Sequence, residues 1–223
     1  VATTPEVKRD RKFNPEASPR VALLRKFGDH VSAYISASKG FSPPTVAEVI
    51  PSSGVYNPDL NPEEGWSYEA GMRGNLFNEK FTFNIALYDF ELNETIVNQP
   101  INGQDYFINA GTTSQKGAEI MLNWNQLFKS HLIHAFKLWT SYSYNHYRFQ
   151  NYINRGNDYT GNSLTGVPPS VFLFGADVTL RSGFYLNLTG NYTDRLPLND
   201  ANTDYAGAYF LLGYKVGGSI YFY

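Results

Sequence analysis

The side chains of this sequence best suited to recognition chemistry are aromatics and arginines. Tyr106, Phe107, Tyr147, Arg148, Tyr152, Arg155 and Tyr159 gather in two stretches of chain. Rings stack on flat ligands and guanidinium groups supply positive charge, so the set suits an aromatic anion. Catalysis has far less to stand on. The chain holds no cysteine, which removes thiolate metal sites, disulfides and a cysteine nucleophile. His131-Leu132-Ile133-His134 offers two imidazoles in a turn with no third ligand nearby, a pattern that reads as solvated histidines. No nucleotide-binding loop, zinc-protease motif or nucleophile elbow occurs, so no catalytic residue, metal or cofactor is expected. Asp59, Glu63, Glu64, Asp105, Asp158, Asp200 and Asp204 lie in polar stretches and read as solvated loop carboxylates.

The elements that must position these residues announce themselves through composition and periodicity. Charged residues make up 17% of the 223 residues, below the roughly 25% of soluble domains, while aromatics reach 16%. A formal net charge of -2 offers no cationic surface for nucleic acid. No apolar run approaches the ~20 residues of a membrane-spanning helix, and the opening Val1-Ala2-Thr3-Thr4-Pro5 is no signal peptide. An outer-membrane β-barrel accommodates this composition, because apolar-out, polar-in alternation keeps mean hydropathy low while aromatics collect in girdles. A girdle is therefore the second reading of the loop tyrosines.

Alternation with a period of two runs through most of the chain. Phe81, Phe83, Ile85 and Leu87 oppose Thr82 and Asn84; Val31, Ala33, Ile35 and Ala37 oppose Ser32, Tyr34, Ser36 and Ser38. Tyr68, Ala70 and Met72 oppose Glu69, Gly71 and Arg73, and Ala118, Ile120, Leu122 and Trp124 oppose Glu119, Met121 and Asn123. Similar patterns follow near residues 136–144, 172–180, 184–189 and 210–216, with a shorter strand near Arg20 to Phe27, about nine strands by this pattern count. A soluble β-sandwich, as in an adhesion or carbohydrate-binding module, alternates in the same way. Two features favour the barrel. Strands near Phe81–Leu92, Thr113–Trp124 and Phe136–Phe149 exceed the usual five or six residues. Short turns at 28–30, 78–80, 129–131, 181–183 and 217–219 alternate with long links near 41–63, 93–104, 150–165 and 193–205, which the barrel rule places outside the cell. Glu69 and Arg73 then belong in the lumen, since Arg at mid-bilayer costs about 2–4 kcal/mol.

Several segments resemble the C-terminal half of TonB-dependent outer-membrane receptors. Tyr34-Ile35-Ser36-Ala37-Ser38-Lys39-Gly40-Phe41 leading into Pro44-Thr45 and Glu48 is similar to the family's strand-and-loop wording, as is Asn57-Pro58-Asp59-Leu60-Asn61-Pro62-Glu63 followed by Tyr68-Glu69-Ala70-Gly71. Asn109-Ala110-Gly111 with Lys116-Gly117-Ala118-Glu119, Gly166-Val167-Pro168-Pro169, and Phe13-Asn14-Pro15-Glu16 with Ser18-Pro19-Arg20 match in order. The resemblance implies an all-β, antiparallel transmembrane barrel of 22 strands, of which residues 1–223 supply about the twelfth to the twentieth, without the plug domain. Ile220-Tyr221-Phe222-Tyr223 would begin the next strand. A barrel segment with open edges is expected not to transport on its own.

The resemblance also implies the function and partners. The receptor would sit in the Gram-negative outer membrane as a monomer in contact with lipid, and import a ferric siderophore or similar iron complex with energy from the TonB complex, engaged through the missing plug region. Cobalamin and oligosaccharide importers share the barrel. Tyr106, Phe107, Tyr147, Arg148, Tyr152, Arg155 and Tyr159 become candidate contacts for the iron–siderophore ligand, and Glu69, Arg73 and Glu119 become wall groups facing the plug, with pairing of wall charges to one another as the alternative.

Overall fold

The computed structural model describes residues 15–51, 54, 56–98, 103–109, 111–154 and 156–218. Arg155, Phe13, Asn14, Ala110 and the stretch 220–223 lie outside them. Nine strands form one sheet: β1 (Arg20–Phe27), β2 (Val31–Ser42), β3 (Glu63–Leu76), β4 (Phe81–Asn93), β5 (Thr112–Leu127), β6 (Ile133–Asn151), β7 (Ser170–Leu180), β8 (Tyr185–Thr193) and β9 (Tyr209–Gly217). Each pairs antiparallel with the next in sequence, an unbroken meander. The sandwich alternative required a second sheet of comparable size packed face to face on the first. Among the described residues the remaining strands form three two-stranded ribbons of two or three residues a side, all in the long links. The one helix there, α1 (Val46–Val49), is a single turn closed by a capping box between Thr45 and Glu48.

Register shows how the period of two becomes two chemically different faces. One cross-strand row runs Leu23, Ile35, Ala70, Leu87, Ala118, Tyr144; the row on the opposite face, displaced by one residue, runs Leu24, Tyr34, Gly71, Ala86, Glu119, Ser143. The apolar face is open: Ile35 and Leu87 are each 58% exposed and Tyr214 is 78% exposed. Nothing in the sheet covers them. Aromatics bracket this face, with Phe81 and Trp124 6.1 Å apart at the short-turn end and Trp66 stacked on Tyr68 at 6.2 Å towards the long links. The eight residue steps from Phe81 to Asp89 span roughly 27 Å of strand, about 20 Å of height at a tilt near 40°, comparable with the ~25 Å apolar band of a membrane barrel. Immediately above, charge reappears on the same face as the Asp89–Lys116 and Lys39–Glu64 ion pairs at 2.9 and 2.7 Å.

The buried core lies elsewhere. Leu60, Phe149 and Tyr152 are the buried hydrophobic residues among those described, and all three belong to the long links or the strand end beneath them. Short turns close the other end; Gly28 takes φ +66° in the β1–β2 turn, a left-handed conformation that costs glycine nothing.

Candidate functional site

The polar face carries a groove whose floor depends on two glycines. A Cβ on Gly71 would come within 2.4 Å of the Tyr34 ring, and one on Gly117 within 2.3 Å of the Tyr88 hydroxyl oxygen. Each tyrosine therefore lies down across a glycine of the neighbouring strand, which fixes its ring and frees its hydroxyl to reach sideways. Tyr34 donates its hydroxyl hydrogen to the Glu69 carboxylate. The Tyr88 hydroxyl sits 3.1 Å from Asn145 Oδ1 and 2.8 Å from the Tyr147 hydroxyl. Glu69 and Glu119 line the same groove, with Phe90 and Gln115. Two carboxylates thus face one space, and among the described residues Glu119 has no ion pair within 4 Å. Arg73 does not pair with Glu69 either: four residues along one strand separate their Cα atoms by about 13 Å. Arg73 lies instead at the short-turn end of the polar face, in a cavity with Lys26, His30, Ser32, Asn75 and Asn84.

Above the sheet the long links dock in pairs. In the first pair, the motif Asn57–Glu63 clamps the β4–β5 link: Asn57 Nδ2 donates to the Phe107 carbonyl at 2.7 Å, the Asn61 amide donates to Asn109 Oδ1 at 2.7 Å, and Glu63 Oε1 accepts the Ile96 amide at 2.8 Å. Leu60, 1% exposed, is the apolar anchor of that motif. In the second pair, Tyr152 packs 4.5 Å from the Phe149 ring and 5.6 Å from Tyr159, while its hydroxyl donates to Asp200 Oδ2 at 3.0 Å. Asp200 also accepts from the Thr165 hydroxyl at 2.5 Å, and Asn202 exchanges hydrogen bonds with the Ser163 backbone. Burial, with the Asp200 carboxylate adding to it, pushes the Tyr152 phenol up to about 12. The Thr160 hydroxyl and amide hold the exposed Asp158 carboxyl below its usual value.

The structure divides the residues that sequence proximity groups together. Tyr147 faces the lumen groove, whereas Arg148, one residue on, projects from the opposite face and is committed to the Gly161 carbonyl at 2.7 Å and to His146 Nε2 at 3.3 Å. Tyr152 is 1% exposed and Tyr159 packs against it, so both build the second loop pair. Tyr106 and Phe107 belong to the first pair, and Arg155 lies outside the described residues. Sequence reasoning did not single out Tyr34, Tyr88 or Lys26. Their signal was present, since each sits on the polar phase of its strand.

A family model for the β-barrel of TonB dependent receptor-like proteins matches residues 3–222. The chain belongs to the TonB-dependent receptor family. Barrels of this family reside in the Gram-negative outer membrane, which accounts for the exposed apolar face of the receptor chain. Among solved structures it is similar to the siderophore receptor PiuA from Acinetobacter baumannii (TM-score 0.71, 18% identity, 91% of this chain and 29% of that one). It is also similar to the ferric yersiniabactin uptake receptor FyuA from Yersinia pestis (0.66, 17%, 89% and 29%) and to the copper transporter OprC (0.70, 14%, 92% and 31%). The receptor chain therefore spans about three-tenths of the length of these proteins.

Proposed function

We propose that the receptor to which this chain contributes binds a ferric siderophore or similar iron complex at its outer loops and imports it with energy delivered through TonB. The observation that carries this reading is the continuity of the polar path. The paired long links lead down to the Tyr147–Tyr88 hydroxyl pair, which opens onto the Glu69/Glu119 groove of the lumen. The long links face outside, following the loop asymmetry of outer-membrane barrels. Within this path Tyr147 contacts the ligand from the wall and Tyr106 and Phe107 from the first loop pair. Tyr152 and Tyr159 hold the second pair in place, Arg148 ties that pair to the rim, and Arg155 supplies charge to the ligand. Glu69, Glu119 and Arg73 face the plug, where desolvated wall charges require opposite charges from the plug segment.

The test is uptake by the full-length receptor in a host lacking its own ferric-siderophore receptors. Cells are offered radioactive iron as catecholate, hydroxamate and citrate chelates, and copper as a separate arm, with and without functional TonB. Uptake of at least one iron chelate that disappears without TonB supports the reading. Iron uptake indifferent to TonB, or copper uptake alone, contradicts it.

A further inference from the structure

Over three successive rows of strands β1–β5, the charges of the lumen wall separate by sign. Three successive polar rows can be followed across the sheet from the long-link side downward: Ser36, Glu69, Tyr88; then Tyr34, Gly71, Ala86, Glu119; then Lys26, Ser32, Arg73, Asn84. Rows two residues apart lie about 7 Å apart along a strand. The two upper rows hold the carboxylates and the third holds two cations. Lys26 and Arg73 occupy strands β1 and β3 in register with Ser32 of β2 between them, so their Cα atoms are about 10 Å apart across two strand spacings. Serine is too short to fill the space between two long basic side chains. Both chains line one cavity with the side-chain amides of Asn75, Asn84 and Asn123 and with His30. The acid lining it is Asp29, in the β1–β2 turn, and among the described residues neither Lys26 nor Arg73 forms an ion pair within 4 Å.

We infer that Lys26 and Arg73 together form a seat for a carboxylate carried by the peptide segment that fills the lumen, placed about one row below the cationic group that Glu69 and Glu119 accept. The inference rests on the plug-facing reading given above and extends it to a residue pair and to the chemistry of its partner. Two cations separated by one small residue repel weakly in water, but covering them with protein removes that screening and makes an intervening carboxylate the favourable neighbour. Side-chain amides around the seat satisfy the remaining carboxylate lone pairs. Over these three rows the wall thus specifies its partner by order: cation on the loop side, anion one row nearer the turns.

Carbodiimide coupling in the full-length receptor tests this, because a zero-length reagent joins an amine only to a carboxylate in contact with it. The Lys116–Asp89 pair at 2.9 Å is the internal control. The expected product joins Lys26 to an Asp or Glu outside residues 1–223, identified by mass spectrometry. A product joining Lys26 only to Asp29, or no Lys26 product while Lys116–Asp89 couples, overturns the seat. Pore conductance in planar bilayers separates this from failure of the plug reading. A closed wild type that becomes leaky in the K26Q/R73Q variant supports the seat, with heat-modifiable gel migration reporting that the barrel remains folded. A closed wild type with an equally closed variant overturns the seat and leaves the plug reading intact. An open wild type overturns both.

Discussion

The strand wall and the loop layer solve the same problem, burying apolar surface, in opposite ways. In the loop layer, Leu60, Phe149 and Tyr152 are covered by protein, and asparagines and carboxylates satisfy the backbone around them. In the wall, leucines and isoleucines of one face stay open, because a single sheet has nothing to put over them. One region carries its own core. The other borrows the hydrocarbon of the bilayer for the same purpose. The contrast explains how one chain of low charge holds both exposed Leu87 and buried Tyr152, and it makes substitutions behave differently in the two regions.

The largest effect is expected in the loop layer. Tyr152→Ala removes a fully buried ring and the donor to Asp200, and should cost about 3–5 kcal/mol of local stability. Hydrogen exchange of residues 153–165 and 196–206 in the full receptor should rise together, since Asp200 and Asn202 tie the two links; exchange confined to one link would break the proposed coupling. Next is Leu87→Arg. An exposed leucine of a soluble protein tolerates arginine within about 0.5 kcal/mol, whereas a lipid-facing one loses about 2–4 kcal/mol. Urea unfolding of the receptor in lipid vesicles distinguishes these values.

A pH effect of comparable or smaller size sharpens the picture of the loop layer. The phenol of Tyr152 is held at about 12 against an ordinary value of 10, so its stabilising effect is complete below pH 10 and is lost as pH rises through about 12. The linkage amounts to roughly 2–3 kcal/mol at most. Exchange of the second loop pair should accelerate across pH 10–12 in the wild type and lose this component in Tyr152→Phe. The smallest effect belongs to the rim: breaking the exposed Asp89–Lys116 pair with Lys116→Gln should change stability by no more than about 1 kcal/mol, as measured by the same vesicle unfolding.

The two regions also differ in how far they could be read from sequence. Strand phase was legible because lipid and lumen impose opposite preferences on alternate residues, and Ile35, Leu87 and Glu119 fall where that rule puts them. The observed bounds of β4 and β6, Phe81–Asn93 and Ile133–Asn151, extend the expected long strands by a few residues. The same rule separates Tyr147 from Arg148, yet grouping residues by proximity in sequence conceals it. Loop docking was not legible, because it rests on partners far apart in the chain. Asn57 meets Phe107 and Tyr152 meets Asp200 only after the strands between them have paired. No local pattern marks Tyr152 as buried rather than ligand-facing.

Nitroxide labels placed singly at Ile35, Leu87, Ser36 and Glu119 in the membrane-embedded receptor test whether one face of the nine-stranded wall meets lipid and the other the lumen. Collision rates with oxygen, which concentrates in hydrocarbon, and with a water-soluble nickel chelate report each environment. Oxygen-dominated relaxation is expected at Ile35 and Leu87, and much lower oxygen accessibility at Ser36 and Glu119, with no comparable preference for oxygen over nickel. Equal profiles at the odd- and even-numbered positions of β2, or nickel access at Leu87 matching that at Glu119, would contradict it.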